Sequence, residues 1–255
     1  MSKTILPKIT LVGAGPGDPE LISVKGLKAI KEADVILYDA LVNVQLLNEA
    51  KSDAIVIYVG KRKGEKEYEQ SEINKLIVSY SLTHGHVVRL KGGDSFVFGR
   101  GSEELEYAHQ FGIETHVVPG ISSSISVPAL AGIPVTHRGV SNSFTVITGT
   151  LSDGSLNPEI ENALQLNGTL VILMGLSKLK EIQALYNSKG KQDTSVAVIS
   201  NGSLPEQRAV FGNFNSILEE VKAYEIKAPG IIVIGEVVNV LRKNKALIDQ
   251  LALVK

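Results

Sequence analysis

The chain of 255 residues has no cysteine and no tryptophan, and only 5% of it is aromatic. Without cysteine there is no disulfide, thiolate nucleophile, iron–sulfur ligation or cysteine-type zinc site. That absence suits a cytoplasmic protein. An excess of one charge is missing too: 26 Lys+Arg stand against 27 Asp+Glu, for a net charge of −1. A broad basic face for nucleic acid is therefore not expected, although a sum near zero conceals how the charges are arranged. No run of about 18 uncharged apolar residues occurs, which argues against a membrane-spanning helix. The opening MSKTILPKITLVGAG has no long apolar segment before its first strand-like run, so a secretory leader is not expected.

What is present is ordinary globular material, 44% hydrophobic and 21% charged. Its 24 glycines lie somewhat above the usual share of about 7%. At about 150 residues per domain the length suits one large or two small domains.

Short β-branched runs alternate with segments of helical period. Strands are expected at Lys8–Val12, Asp34–Tyr38, Ala54–Val59, His86–Leu90 and Thr115–Val118. Between them Ser23–Ala33, Asn43–Ala50, Glu69–Leu82 and Ser102–Phe111 read as helices. Ile73, Leu76, Ile77 and Tyr80 recur at i, i+3, i+4, i+7, the mark of one apolar face. Ser23, Asn43 and Ser102 are candidate N-caps, and Gly112 stands where a left-handed C′ residue belongs. The second half continues with strands at Ser143–Thr148, Thr169–Met174, Ser195–Ser200, Arg208–Phe211 and Gly230–Ile234. Its helices are expected at Pro158–Leu166, Ser177–Tyr186, Asn215–Ala223 and Val238–Leu253, with Asn157 and Pro158 as cap and first helical residue. This alternation predicts mainly parallel sheets covered on both faces. We divide the chain into an N-terminal α/β domain (1–118), a connecting segment (119–138) and a C-terminal α/β domain (139–255).

Three glycine-bearing segments stand out. The first strand runs into Gly13-Ala14-Gly15-Pro16-Gly17-Asp18. A dinucleotide fingerprint wants a third glycine at position 18, where Asp18 stands, and Pro16 removes a backbone donor. The loop suits an uncharged or cationic ligand, or is simply a turn. After the fourth strand come Gly92-Gly93-Asp94 and then Phe96, Phe98, Gly99, Arg100 and Gly101. Paired glycines at a strand's C-terminal end bare the backbone to a ligand, and in an open α/β sheet this edge is where ligands bind. The alternative is a surface turn with charged flanks. The third segment, Pro119–Pro128, places four serines around a helix start, for hydrogen bonding to a ligand or for capping and close packing. His84 and His86 straddle Gly85 and read as a helix-to-strand turn rather than a metal pair, because no third ligand adjoins. His137 stands beside Arg138 as its support.

Together, VGAGPGDPELISVKG (12–26), ADVILYDALV (33–42), VGKR (59–62), RLKGGDSFVFGRGSEE (89–104), VVPGISSSISVPALAGIPVTHR (117–138), LVILMG (170–175), VAVISNGSLPEQR (196–208) and APGIIVIGEVV (228–238) resemble the uroporphyrinogen-III C-methyltransferase family of tetrapyrrole methylases. The resemblance covers nearly the whole chain in the family's order. It implies a two-domain α/β (class III methyltransferase) fold with the cofactor in a cleft between domains. It also implies methyl transfer from S-adenosylmethionine to C2 and C7 of uroporphyrinogen III, giving precorrin-2 and S-adenosylhomocysteine for sirohaem or corrinoid synthesis. No metal, nucleic acid or membrane is implied, and the family's usual assembly is a homodimer.

By motif position, the resemblance places Pro16, Gly92, Gly93, Asp94, Val97, Ser122, Ser123, Met174 and Gly202 at the cofactor. Asp39 and Lys61 match the family's proton acceptor and donor, with Arg100 a competing candidate for the proton. The polycarboxylate substrate calls for local positive charge from Arg100 and Arg138, with Glu103 on a pyrrole N–H and Met174 packing on either ligand. The chemistry agrees with the residues. A sulfonium and an ammonium suit carboxylate and carbonyl partners, and in-line methyl transfer needs alignment more than a strong nucleophile. Structural alternatives stay open: Asp39 as a helix N-cap, Lys61 as a solvated loop charge and Met174 as core.

The chain departs from the family in three places. Ser95 stands where Pro is common after GGD, Thr150 where His is common after TG, and 64–67 lack a frequent His. Three other readings compete with this one: a precorrin methylase acting elsewhere on the macrocycle, an NAD-dependent oxidoreductase with Asp39 on the ribose, and an adenosyl-binding module without catalysis.

Overall fold

The computed structural model describes residues 5–60 and 68–242. The chain divides into two compact units, Met1–Ser122 and Ser123–Lys255, so the division falls within the segment 119–138.

Unit 1 contains β1 (Lys8–Gly13), α1 (Val24–Glu32), β2 (Val35–Tyr38), β3 (Ile55–Tyr58), α2 (Gln70–His84), β4 (His86–Lys91), α3 (Gly101–His109) and β5 (Glu114–Val118). All five strands run parallel in the order β3-β2-β4-β1-β5. The runs KITLVG and VILY are almost wholly buried, as strands covered on both faces must be. Ile30, Ile36, Val88 and Leu90 belong to the core cluster that includes α1, while Val35, Leu37, Ile77, Val87 and Ala108 join the one that includes α2 and α3. The expected apolar face of α2 is real: Ile73 and Ile77 are buried, with Leu76 and Tyr80 packed against the same cluster.

Local chemistry sets the ends of these elements. Ser23 Oγ accepts the Gly26 N–H and starts α1. Glu69 and Glu72 form a reciprocal capping box at the head of α2. Gly112 has the left-handed φ of 66° expected of it. Val44–Glu49 is a 3-10 turn rather than an α-helix. Asn43 caps it through the Gln45 N–H, but only Leu46 in it is buried, too narrow a stripe to hold an α-helix down. Ser102 is not the cap of α3; it lies inside the helix, and Arg100 occupies the cap position at φ 58°.

Unit 2 contains α4 (Ser123–Leu130), β6 (Phe144–Thr148), α5 (Glu159–Ala163), β7 (Thr169–Leu173), α6 (Leu179–Ser188), β8 (Ser195–Ser200), β9 (Arg208–Asn213), α7 (Ile217–Ala223) and β10 (Gly230–Ile234). Its sheet has the order β6-β7-β10-β8-β9. Here the expectation of a mainly parallel sheet fails. Only β6 and β7 pair in parallel, whereas β10 is antiparallel to both β7 and β8, and β8 to β9. The cause is the helix-free link from β8 to β9, which reverses the chain as a hairpin. The strand after α7 then enters between β7 and β8 in the reversed direction. The core of this unit gathers Ile160, Ile172, Ile182, Val198 and Ile232 around a stacked Tyr186–Phe214 pair whose ring centroids lie 4.0 Å apart. In place of a helix from Val238 there is a 3-10 turn at Glu236–Asn239; the remainder of Val238–Leu253 from 243 on lies outside the described residues.

Candidate functional site

The site begins at the C-terminal edge of the parallel sheet in unit 1. The links leaving β1 and β2 run toward β3, and those leaving β3 and β4 run toward β5, on opposite faces of the sheet. They part between β2 and β4, the point where such sheets open a crevice. Asp39 follows β2 there and Gly92 follows β4. The Asp39 carboxylate accepts the Leu41 N–H at 3.1 Å and the Gly92 N–H at 3.3 Å through Oδ1. It is therefore fixed by two backbone donors and does not cap an α-helix.

Three loops meet beside it backbone to backbone. The Gly15 N–H donates to the Gly93 carbonyl at 3.2 Å, and the Gly93 N–H donates to the Gly15 carbonyl at 2.7 Å, an isolated antiparallel bridge between the turns that follow the parallel β1 and β4. A Cβ on Gly13 would stand 2.5 Å from Gly120 Cα, and one on Gly120 2.2 Å from the Gly93 carbonyl oxygen. Only glycine permits this approach. Gly93 differs: its φ is 68° and nothing lies within 4 Å of where a Cβ would project. Its N–H and carbonyl are taken up by Gly15, and only the side where a side chain would stand is open. Pro16 and Val97 are half-buried beside these turns.

Asp94 ties this construction together. Its Oδ2 accepts the Gly120 N–H at 2.9 Å and its Oδ1 the Phe96 N–H at 2.8 Å, tying the loop after β4 to the one after β5. The following residues then wrap around Ser95. Added Cβ atoms on Gly99 and Gly101 would stand 2.6 and 2.7 Å from the Ser95 carbonyl oxygen. Ser95 is 1% exposed, and its Oγ has no hydrogen-bond partner. We expect Ser95→Ala to stabilise the protein by about 1 kcal/mol, since an unpartnered buried hydroxyl costs that much. A lowered denaturant midpoint would reverse this assignment.

Arg100 and Glu103, both expected at the substrate, hold each other in this structure. Arg100 Nε donates to Glu103 Oε1 at 2.8 Å and Nη2 to Oε2 at 2.6 Å. That fork raises the Arg100 pKa and lowers that of Glu103, first through the hydrogen bonds. Both side chains are about half exposed, so the pair adds little to stability. The Nη1 amine stays outside it.

Beneath Asp39 lies a group that sequence reasoning passed over. Arg89 and Lys91 point into the sheet face that packs on α2 and α3, and both are buried. Arg89 Nε, Lys91 Nζ and Gln70 Nε2 all donate to Glu104 Oε1 at 3.1 Å. Glu104 is 1% exposed and its Oε2 has no partner. Arg89 Nη1 also donates to the carbonyls of Leu37 and Leu90, and Nη2 lies 3.9 Å from Asp39 Oδ2. Burial is the first cause of a lowered Lys91 pKa, followed by the charge of Arg89; Glu104 opposes both. The available signal was two cations at alternate positions of an otherwise apolar central strand.

In unit 2, the turns after β6 and β7 touch: a Cβ on Gly149 would stand 2.4 Å from Gly175 Cα. Met174 is 54% exposed with φ 52°, so it is not core. Thr150 Oγ1 donates to the Met174 carbonyl at 2.7 Å and holds that left-handed turn. Gly202 packs on α4, where a Cβ would stand 2.3 Å from Val127 Cγ2. Ser123 opens α4 one helical turn before Val127, and Ser122 precedes it. Arg138 is exposed in a turn closed between His137 and Ser141; the His137 ring contacts the Arg138 carbonyl rather than its side chain.

Lys61 lies outside the described residues. His86 has its ring nitrogens on Thr10 Oγ1 (2.8 Å) and the Glu32 carbonyl (3.3 Å), with Gly85 turning at φ 110°. Among the described residues no group of three or more His, Asp or Glu could hold a metal ion, and no helix is long and apolar enough to cross a membrane.

Residues 8–218 match the family of Tetrapyrrole (Corrin/Porphyrin) Methylases. A uroporphyrinogen-III C-methyltransferase of Methanocaldococcus jannaschii is 51% identical over 236 residues, spanning 92% of this chain and 98% of that protein. One from Priestia megaterium is 47% identical over 234 residues, 91% of this chain and 98% of its own. The crystal structure of a uroporphyrin-III C-methyltransferase from Thermus thermophilus complexed with S-adenyl homocysteine superimposes with a TM-score of 0.79 at 35% identity, covering 91% of this chain and 99% of that one. With the match running through both units and the glycine turns in their expected order, the chain belongs to the tetrapyrrole methylases.

Proposed function

We propose that the protein is a uroporphyrinogen-III C-methyltransferase, using S-adenosylmethionine to methylate C2 and C7 and yield precorrin-2 for sirohaem or corrinoid synthesis. The observation that carries this reading is the near full-length likeness, at about half identity, to a protein of that activity. The turn chemistry supports the cofactor. Gly93 leaves the space beside its Cα open, Asp94 holds that turn, and Pro16 withholds a donor that a phosphate would want. An oxidoreductase would need the glycine that Asp18 replaces.

S-adenosylmethionine supplies an electrophilic methyl group and leaves as a neutral thioether. Pro16, Gly92, Gly93, Asp94, Val97, Ser122, Ser123, Met174 and Gly202 are the proposed residues that hold it. The pyrrole nitrogen of the substrate drives attack from the ring carbon, and each methylation leaves one proton to be removed. Asp39, fixed by two backbone donors, is the proposed acceptor, and Lys61 is the proton donor by its place in VGKR. Arg100 stays protonated, so it acts as a cation toward substrate carboxylates. Arg138 is a second cation for them, and Glu103 can release Arg100 for a pyrrole N–H at little cost because their pair is exposed.

Incubating the protein with uroporphyrinogen III and methyl-labelled S-adenosylmethionine should give a doubly labelled dimethyl product. Label at another ring position would make it a methylase of a later precorrin, and no transfer to tetrapyrrole would end the reading. Arg100→Ala should raise the substrate KM at least tenfold while leaving S-adenosylmethionine affinity within twofold by calorimetry. Equal losses in both would remove Arg100 from the substrate. We also propose the family's homodimer, with a cytoplasmic location; light scattering should return twice the 27.3 kDa chain mass.

A further inference from the structure

We propose that Arg89 is a positioning residue for Asp39, held in place by Glu104, so that the proton acceptor at the surface is aimed by a buried ion network behind it. The inference rests on Asp39 as that acceptor and adds what sets its orientation.

Arg89 is committed on three sides. Nε donates to Glu104, while Nη1 donates to the Leu37 carbonyl on β2 and to the Leu90 carbonyl on β4. The planar guanidinium therefore has one remaining direction, and Nη2 points along it to Asp39 Oδ2 at 3.9 Å. A fork pinned across two strands cannot drift as a surface arginine does. Asp39 is the one carboxylate of the cluster with appreciable exposure, its side chain being 26% accessible against none for Glu104.

The charges of the cluster explain why Arg89 faces outward. Arg89 and Lys91 are two buried cations, and Glu104 supplies one buried anion. Asp39 makes the four-charge group neutral, so an uncompensated positive charge is directed at its carboxylate. The Leu41 and Gly92 N–H groups complete its surroundings from the β2 and β4 turns. Lys91 reaches Glu104 on the same oxygen as Arg89 and so anchors the anion rather than the acceptor.

The test uses a charge-balanced pair of substitutions, Arg89→Gln with Glu104→Gln. One cation and one anion leave together, and the new amide nitrogen at 104 takes the place of an oxygen that has no partner. The double variant should fold and bind S-adenosylmethionine within twofold of the parent. Its kcat should fall at least tenfold while its KM for uroporphyrinogen III stays within twofold. Arg89→Lys, which keeps the buried charge but loses the fork, should also lower kcat with KM little changed. Parental kcat in the double variant, or in Arg89→Lys should the double variant not fold, would overturn the proposal. If Asp39→Asn alone leaves kcat intact, the acceptor reading fails instead. If Asp39→Asn is inactive while both Arg89 variants match the parent, only the network proposal falls.

Discussion

Gly92→Val is expected to abolish S-adenosylmethionine binding while the protein stays folded. The three glycines near the turn differ in what a side chain would strike. At Gly13 and Gly120 it meets backbone at 2.5 and 2.2 Å, and nothing there can yield without unpicking the sheet edge. At Gly92 the nearest atom is Leu41 Cβ at 2.6 Å, on a residue that is 60% exposed, so the turn that carries it must shift its backbone to make room. Strain at Gly92 is therefore relieved locally, by displacing the Asp39–Leu41 turn and its bond to the Gly92 N–H. The proposed cofactor contact is lost but the core is not. Calorimetry should show affinity weakened more than a hundredfold, with the melting temperature changed by only a few degrees. Undiminished affinity would take Gly92 out of the site.

Asp39→Asn should cut turnover by about 10²–10⁴-fold, the range a positioned acid or base contributes. The amide oxygen can still accept the Leu41 and Gly92 N–H groups, so the turn survives and S-adenosylmethionine affinity should stay within twofold. Single-turnover measurement with labelled cofactor separates the effects. A drop in kcat with unchanged affinity places Asp39 at the proton, whereas matched losses would make it a strut for Gly92. The contrast with Gly92→Val is sharp, since one variant loses the ligand and the other the reaction.

Most of unit 1 was legible because its physics is local. β-branched runs of five or six residues between amphipathic helices specify a parallel sheet, and α2 showed its buried stripe of Ile73 and Ile77 in spacing alone. The direction of β10 was not legible. It depends on a hairpin after β8 and on insertion between two strands already laid down, and neither leaves a periodic mark. At the site, the glycine turns could be found from composition and order. The role of Asp94 as a tie between two turns could not, because its partners are backbone amides of residues 96 and 120. Arg89, Lys91 and Glu104 were hidden by their type. Charged residues are read as surface by default, and only the fold shows that these three meet on one carboxylate oxygen.

The position of β10 also bears on how the chain is made. In unit 1 the last strand, β5, lies at the sheet edge, so the inner strands are complete before it emerges. In unit 2 the last strand is an inner one, and until residues 230–234 leave the ribosome β7 and β8 each present an unpaired edge. Unit 1 can close early while unit 2 must wait for residues 230–234. A chain released before Gly230 would thus carry a finished first sheet attached to a split second one, a ready substrate for aggregation or quality control.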